Sequence, residues 1–192
     1  MTTLAVVKKD GIVAIAADTL TKWGTNKESA DYIGNHGKLI QVGDSWLAVT
    51  GYTTFILILK DYFSNPEVPA DFSSVGGIFR TWQALHGALK EQYYLLPGED
   101  KDDDLESSQM DVLIANPQGI FGVAEHRSVQ EFSKFYAYGS GSDLAMGAMY
   151  ALYDGHFTAE EIARKAVEAA AEFDDRTGLP VQVQTISLME ED

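Results

Sequence analysis

Short apolar runs and stretches of helical periodicity come in blocks along this chain. Residues 4–7 and 12–17 are rich in Val, Ile and Ala, and Lys8-Lys9-Asp10-Gly11 lies between them. Asp-Gly between two such runs is a hairpin signal, so the chain opens with paired strands and Asp18 stands at the end of the second. Residues 38–42 and 46–50 read as another strand pair, joined through Gly43-Asp44-Ser45. From residue 52 the period changes. Phe55, Ile56, Leu59 and Phe63 fall at helical spacing over 52–63, and Asn65-Pro66 and Pro69 close that helix. A longer amphipathic stripe over 75–94 carries Ile78, Phe79, Trp82, Leu85, Leu89 and Tyr93, with Pro97-Gly98 at its end. The acidic run at 99–106 reads as a solvated loop.

Residues 110–115 and 120–123 form a third hairpin around Asn116-Pro117-Gln118-Gly119, and 135–138 a short strand. Gly139-Ser140-Gly141-Ser142-Asp143 opens a helix that runs to Tyr153. Thr158-Ala159-Glu160-Glu161 is a capping box, with Thr at the cap and Glu three residues later, and its helix runs to about Asp174. Residues 181–188 alternate as a final strand. Strands and helices grouped in blocks predict an α+β fold of antiparallel sheets layered with helices, and argue against a parallel βαβ sheet. With 192 residues, no internal repeat and no linker, one domain over 1–192 is expected.

Composition narrows the chemistry. The chain has no cysteine, which excludes disulfides, thiol catalysis and thiolate-bound metals. Its formal net charge of -15 argues against nucleic-acid binding. No stretch is long and apolar enough to span a membrane, and the first residues lack a basic n-region, so cytoplasmic residence is expected. Neither phosphate-binding glycine motif is present, nor HExxH, nor G-x-S-x-G. His36, His86, His126 and His156 are scattered without ligand spacing and read as surface or helix residues. What remains must use Ser, Thr, Lys, Asp and the chain's own terminus.

Thr2 directly follows Met1. A small second residue permits removal of the initiator Met. A free terminal Thr then carries a hydroxyl and an amine on one residue. The amine has a reference pKa of about 7.7–8.0, so it is partly neutral near neutrality and can act as a base. Thr activated by its own amine is a known nucleophile design. Taken alone, Met1-Thr2-Thr3 is also simply how a chain starts.

The ordered set of motifs goes further. Thr2-Thr3-Leu4-Ala5-Val6 is followed by Val13-Ala14-Ile15-Ala16-Ala17-Asp18, then by Gly37-Lys38-Leu39-Ile40-Gln41-Val42 and Leu47-Ala48-Val49-Thr50-Gly51. Tyr138-Gly139-Ser140-Gly141-Ser142 comes later, and Asp174-Asp175-Arg176-Thr177-Gly178 precedes the final strand. In this order, over nearly the whole chain, these pieces resemble the proteasome β subunits and the bacterial peptidase HslV. The length and the near-absent propeptide resemble the compact branch called bacterial proteasome homologue. The resemblance implies a four-layer αββα sandwich of the N-terminal-nucleophile hydrolase type. It implies a threonine endopeptidase acting on protein or peptide substrates, in a homo-oligomer of stacked six- or seven-membered rings, seven favoured, with the active sites inside. It implies no need for a metal or organic cofactor, and an ATP-dependent unfoldase partner follows by analogy only.

Carried over position by position, the resemblance makes Thr2 the nucleophile and its amine the proton acceptor. Lys38 resembles the active-site lysine, whose charge favours the neutral amine. Asp18 resembles the acid that keeps this lysine charged. Gly51 resembles the oxyanion-hole residue, where glycine lets the backbone approach substrate. Ser140, Asp174 and Thr177 resemble the polar group that orients the amine. Thr21, Lys22, Val49 and Thr53 match the specificity pocket, with Val49 as a moderately apolar floor.

Each has a plainer reading. Lys38 and Asp18 would serve equally as a surface ion pair, Gly51 as the start of the next helix, and Ser140 as an N-cap. Asp174 and Thr177 would be a helix end and its turn, and Val49 a strand filler. The segment between Asp18 and Lys38 is a few residues longer than in the family, the extra ones lying in 23–36. That leaves Lys22 or Lys27 as alternatives for the active lysine, though neither has the strand setting of Lys38. The family often has Ser where this chain has Thr177. Two rival functions share the fold. One is a hydrolase of small amides. The other is a silent structural ring subunit, which a retained Met1 would produce by leaving Thr2 with an amide nitrogen and no base. Asp18 and Lys38 together argue against a purely structural role.

Overall fold

A computed structural model of the protein describes residues 2–96 and 104–189. The elements run β1 (Thr3–Lys9), β2 (Ile12–Ala17), β3 (Thr21–Trp23), β4 (Asn26–Glu28), β5 (Leu39–Val42), β6 (Ser45–Val49), α1 (Thr54–Ser64) and α2 (Val75–Glu91). Then come β7 (Val112–Asn116), β8 (Gly119–Val123), β9 (Val129–Phe132), β10 (Phe135–Gly139), α3 (Ser142–Leu152), α4 (Ala159–Phe173) and β11 (Gln182–Ser187). One antiparallel sheet has the order β10-β1-β2-β11 and a second the order β5-β6-β7-β8-β9.

Strand alternation builds the layers. Side chains on a strand point to opposite faces in turn. In the first sheet Leu4, Val6, Val13 and Ile15 face the second sheet, where they meet Ala48, Leu113, Ala115 and Ile120. The intervening Ala5, Val7, Ala14 and Ala16 face α3 and α4. These are mostly small, and so are Ala159, Ala163, Ala166 and Ala170 on α4, which lets helix and sheet approach closely. The outer face of the second sheet, including Leu47, Val49, Val112, Ile114 and Phe121, packs against Leu59, Ile78, Trp82, Leu85 and Leu89 of α1 and α2. The result is four layers, helices outside two stacked antiparallel sheets.

The capping box forms as expected: Thr158 Oγ1 accepts from the Glu161 N–H at 3.2 Å and the Thr158 N–H donates to Glu161 Oε2 at 2.8 Å. Three strands were not anticipated. β3 and β4 are three-residue strands, polar and half exposed, joined through Gly24, and carry no alternation to read. β9 is an edge strand with alternating exposure too weak to signal. The strand at 135–138 proves to be an integral partner of β1, with Ala5 opposite Ala137. α1 starts two residues later than the periodicity suggests, and α2 ends at Glu91 rather than Tyr94. The Pro97-Gly98 stop and residues 99–103 of the acidic run lie outside the described residues. Among the described residues no helix is long and apolar enough to cross a membrane.

Trp82 is 1% exposed and packs at an angle against Phe63 and Phe72, with ring centroids 6.3 and 6.1 Å away. Trp82→Ala should cost about 3–5 kcal/mol of stability. Urea unfolding should therefore show a clearly lower midpoint, whereas an unchanged midpoint would mean that this helix layer does not support the second sheet.

Candidate active site

Thr2 precedes β1 and is 3% exposed. Its hydroxyl donates to Asp18 Oδ1 at 2.9 Å and accepts a close hydrogen bond from Lys38 Nζ. Lys38 lies one residue before β5, so the second sheet delivers the ammonium to the start of the first. Lys38 Nζ also donates to Asp18 Oδ1 at 2.7 Å and to the Leu20 carbonyl at 2.6 Å. Asp18 is fully buried just past β2. Besides Thr2 and Lys38, its carboxylate accepts from the backbone N–H groups of Thr3 at 3.1 Å, Leu20 at 3.0 Å and Gly178 at 3.1 Å.

This is not a surface ion pair. A buried charge is tolerated only when paired and hydrogen-bonded, and here both ions are. Burial lowers the Lys38 pKa from its ordinary value, while the charge and hydrogen bond of Asp18 oppose that shift. A hydroxyl oxygen that accepts from an ammonium gives up its proton more readily. Of the three lysines considered, only Lys38 reaches Thr2. Lys22 pairs with the Asp175 carboxylate instead, and Lys27 sits on the exposed β4.

Gly51 follows β6 at φ +98°, and a Cβ there would lie 2.8 Å from the Gln109 carbonyl oxygen. It does not start the next helix, whose N-cap is Thr53. Among the described residues the Gly51 N–H meets no acceptor of the chain's own. It borders a cleft of about 560 Å³ that also takes in Thr2, Thr21, Lys22, Thr53 and Ser140. Val49 stands apart from that cleft. It is 3% exposed, packs on the α1 side, and closes a recess of about 20 Å³ behind Thr2 together with Thr21, Thr53 and Ile56. The sequence reading missed Trp23, Tyr52, Gln109 and Arg176, which also line the cleft. Trp23 and Tyr52 are 51% and 62% exposed, and an aromatic beside each group of matched pocket residues was the available signal.

Ser140, Asp174 and Thr177 form a second polar group. The Ser140 N–H donates to the Thr2 carbonyl at 2.8 Å, and Ser140 Oγ donates to Asp174 Oδ2 at 2.6 Å. Thr177 Oγ1 donates to the same Asp174 oxygen at 2.7 Å. Partial burial alone would raise the Asp174 pKa, but these hydroxyls, the Arg176 N–H and the Arg176 charge hold it below its ordinary value. Ser140 is not the N-cap of α3, which is Gly141. Asp174 does cap the C-terminus of α4. Among the described residues no cluster of His, Asp and Glu is placed to hold a metal ion.

Chemically, the arrangement offers a hydroxyl between an ammonium and a carboxylate at the wall of an open cleft that Gly51 also lines. No family model matches the chain, and no curated protein does. Solved structures do. The structure of Thiobacillus denitrificans BPH (bacterial proteasome homologue) is 62% identical, covers 98% of this chain and 100% of its own, and superposes with a TM-score of 0.94. Thiobacillus denitrificans BPH in complex with epoxomicin is 61% identical over the same shares, with a TM-score of 0.92. Eukaryotic HslV from Trypanosoma brucei is 21% identical, covers 96% of this chain and 99% of its own, and has a TM-score of 0.69, a likeness of fold.

The approach of Thr2 to Ser140 depends on Gly139, which sits at φ +99° with space for no Cβ: one would lie 1.9 Å from the Thr2 carbonyl oxygen. Gly139→Ala should cost at least about 1–3 kcal/mol from backbone strain alone. Thermal unfolding should register the loss. A variant as stable as the parent would mean that the Thr2 carbonyl is not held here.

Proposed function

Because the chain belongs to the bacterial proteasome homologue branch of the proteasome β-subunit and HslV family, we propose that it is a threonine endopeptidase subunit in which Thr2 attacks peptide bonds once Met1 is removed. The observation that carries this reading is the contact of the Thr2 hydroxyl with both Lys38 and Asp18 at the wall of the cleft. The freed amine takes the hydroxyl proton, and Lys38 favours its neutral form by charge. Thr2 Oγ1 adds to the carbonyl carbon, and the developing oxyanion is received by the Gly51 N–H. The amine then returns its proton to the leaving nitrogen, leaving an ester that water hydrolyses. Asp18 keeps Lys38 charged against burial.

Ser140, Asp174 and Thr177 set the position of the terminal residue. Thr21, Lys22 and Thr53 contact substrate in the cleft, and Val49 forms the floor of the recess behind Thr2. In this reading the subunit is one proteasome β-type domain, cytoplasmic, and works as a homo-oligomer of stacked rings, seven-membered favoured. An ATP-dependent unfoldase is the expected partner class, and protein or peptide is the substrate. The reading extends to this chain the epoxomicin binding of its 61%-identical relative.

Intact-protein mass spectrometry after exposure to epoxomicin tests it. A mass lacking Met1 and carrying one adduct at Thr2 is expected, with no adduct on Thr2→Ala and no peptide cleavage by that variant. A mass retaining Met1 without adduct would instead identify a silent structural subunit. The pH profile provides a second check. Charged Lys38 is required, and its pKa lies below the ordinary 10.5. Activity should therefore fall on the alkaline side before pH 10.5 is reached. A rate still rising through that pH would remove the charged lysine from the mechanism.

A further inference from the structure

Thr3 is fully buried, yet its position on β1 is one where the next residues of the same face, Ala5 and Val7, are apolar. A hydroxyl kept in such a place is costly unless it is bonded. Thr3 Oγ1 is bonded twice. It shares a hydrogen bond with Thr177 Oγ1 at 2.6 Å and accepts from the Gly141 N–H at 3.2 Å. The Thr3 backbone faces the other way. Its N–H donates to Asp18 Oδ1 at 3.1 Å, and its carbonyl accepts from the Asp18 N–H at 3.2 Å.

Strand alternation explains the split. The Thr2 side chain reaches Lys38 at the start of the second sheet, while the Thr3 side chain, one residue on, reaches the turn after α4. Thr3 is therefore bonded to both polar groups of the site. On one side are Lys38 and Asp18. On the other are Thr177, Asp174 and Ser140, joined in sequence by 2.7 and 2.6 Å hydrogen bonds. From there Ser140 returns to the Thr2 carbonyl at 2.8 Å, closing a ring of bonds around the Thr2–Thr3 peptide. The fit at this point is tight. A Cβ on Gly141 would stand 2.4 Å from Thr3 Oγ1 and 2.8 Å from Ala170 Cβ, so the Gly141 amide approaches the hydroxyl only because glycine is there.

We propose that Thr3 is a positioning residue of the reaction: its hydroxyl and backbone lock the Asp174–Thr177 turn to the Asp18–Lys38 pair and so fix where Thr2 stands. Thr3 touches neither substrate nor the reacting atoms and acts through Thr2. This rests on the reading of Thr2 as nucleophile. Loss of the Thr3 hydroxyl leaves the Gly141 N–H without its acceptor and frees the Thr177 hydroxyl to turn. Both changes loosen the second polar group without removing any member of it. A misplaced reacting group loses rate rather than substrate affinity.

The experiment compares the assembled wild-type protein with Thr3→Val, Thr3→Ser and Thr2→Ala, using steady-state peptide cleavage and the rate of epoxomicin adduct formation per folded subunit. Thr3→Val should lower kcat on the order of 10–100-fold, with KM within about twofold and adduct formation slowed in proportion. Thr3→Ser, which keeps the hydroxyl, should stay near wild type. Three results would overturn the proposal. Thr3→Val could match wild type per folded subunit and only melt earlier, which is a buried hydroxyl serving stability alone. Thr3→Ser could be as impaired as Thr3→Val, which makes the methyl group and not the hydroxyl the requirement. A wild-type protein as inert as Thr2→Ala would remove the nucleophile reading itself, and the role of Thr3 with it.

Discussion

The ion pair of Lys38 with Asp18 sets the terms for this end of the molecule. Transfer of two charges out of water costs several kcal/mol each, and mutual attraction offsets it only when the remaining bonding capacity is filled. Besides the nearby amide of Leu20, Asp18 fills its capacity from distant stretches of chain: the hydroxyl of Thr2, the amide of Thr3 and the amide of Gly178. Those donors come together only if β1 lies beside β2 and the turn before β11 folds back over both. The pair therefore depends on the sandwich being complete, and the start of the chain is one of its ligands. Loss of any one donor would leave a buried charge short of a partner, which costs more than the same loss at a surface.

The layers around the pair follow from packing. Small residues on the α4 side of β1 and β2 bring that helix close, and its C-terminal Asp174 is thereby set beside Ser140 and Thr177. On the other side, larger side chains under α1 and α2 hold the second sheet, which carries Lys38 at one strand start and Gly51 just past the next strand's end. Each sheet thus contributes part of the candidate site, and the face between them, Leu4, Val6, Leu113 and Ile120 among others, fixes their distance. The two halves meet at residues 2 and 3 because consecutive strand residues point opposite ways.

What could be read from the chain follows the same physics. The hairpins at 3–17 and 112–123, the α4 capping box and the core stripes of α1 and α2 are local patterns, and local patterns are legible. Thr2 was singled out by the hydroxyl and amine a terminal Thr carries, and Asp18, Lys38 and Gly51 through the order of motifs; the structure brings the first three into contact and sets Gly51 at the edge of the cleft that Thr2 lines. β3 and β4 were not legible, because three residues a side, polar but for Trp23, are too few to show a period, and with them went Trp23 on the cleft wall. Thr3 was hidden for another reason. A Thr at the head of a Val- and Ala-rich strand is what β propensity favours anyway, so its hydroxyl carries meaning only once Thr177 and Gly141 are found against it.

The charge of the chain and the charge of the cleft point in opposite directions. The formal net charge is -15, yet among the described residues the cleft wall includes Lys22 and Arg176 and no carboxylate. Asp175 lies just outside and is drawn below its ordinary pKa, first by the hydrogen bond from Lys22. Lys22 at the wall is thus paired with Asp175, and the buried Lys38 ammonium is paired with Asp18. Burial favours the neutral amine of Lys38 and Asp18 favours the ammonium, with burial the larger effect. The net result lies below the ordinary lysine value. The Lys38 ammonium donates to both Asp18 and the Thr2 hydroxyl, so the two opposing influences meet beside the first residue of the described chain.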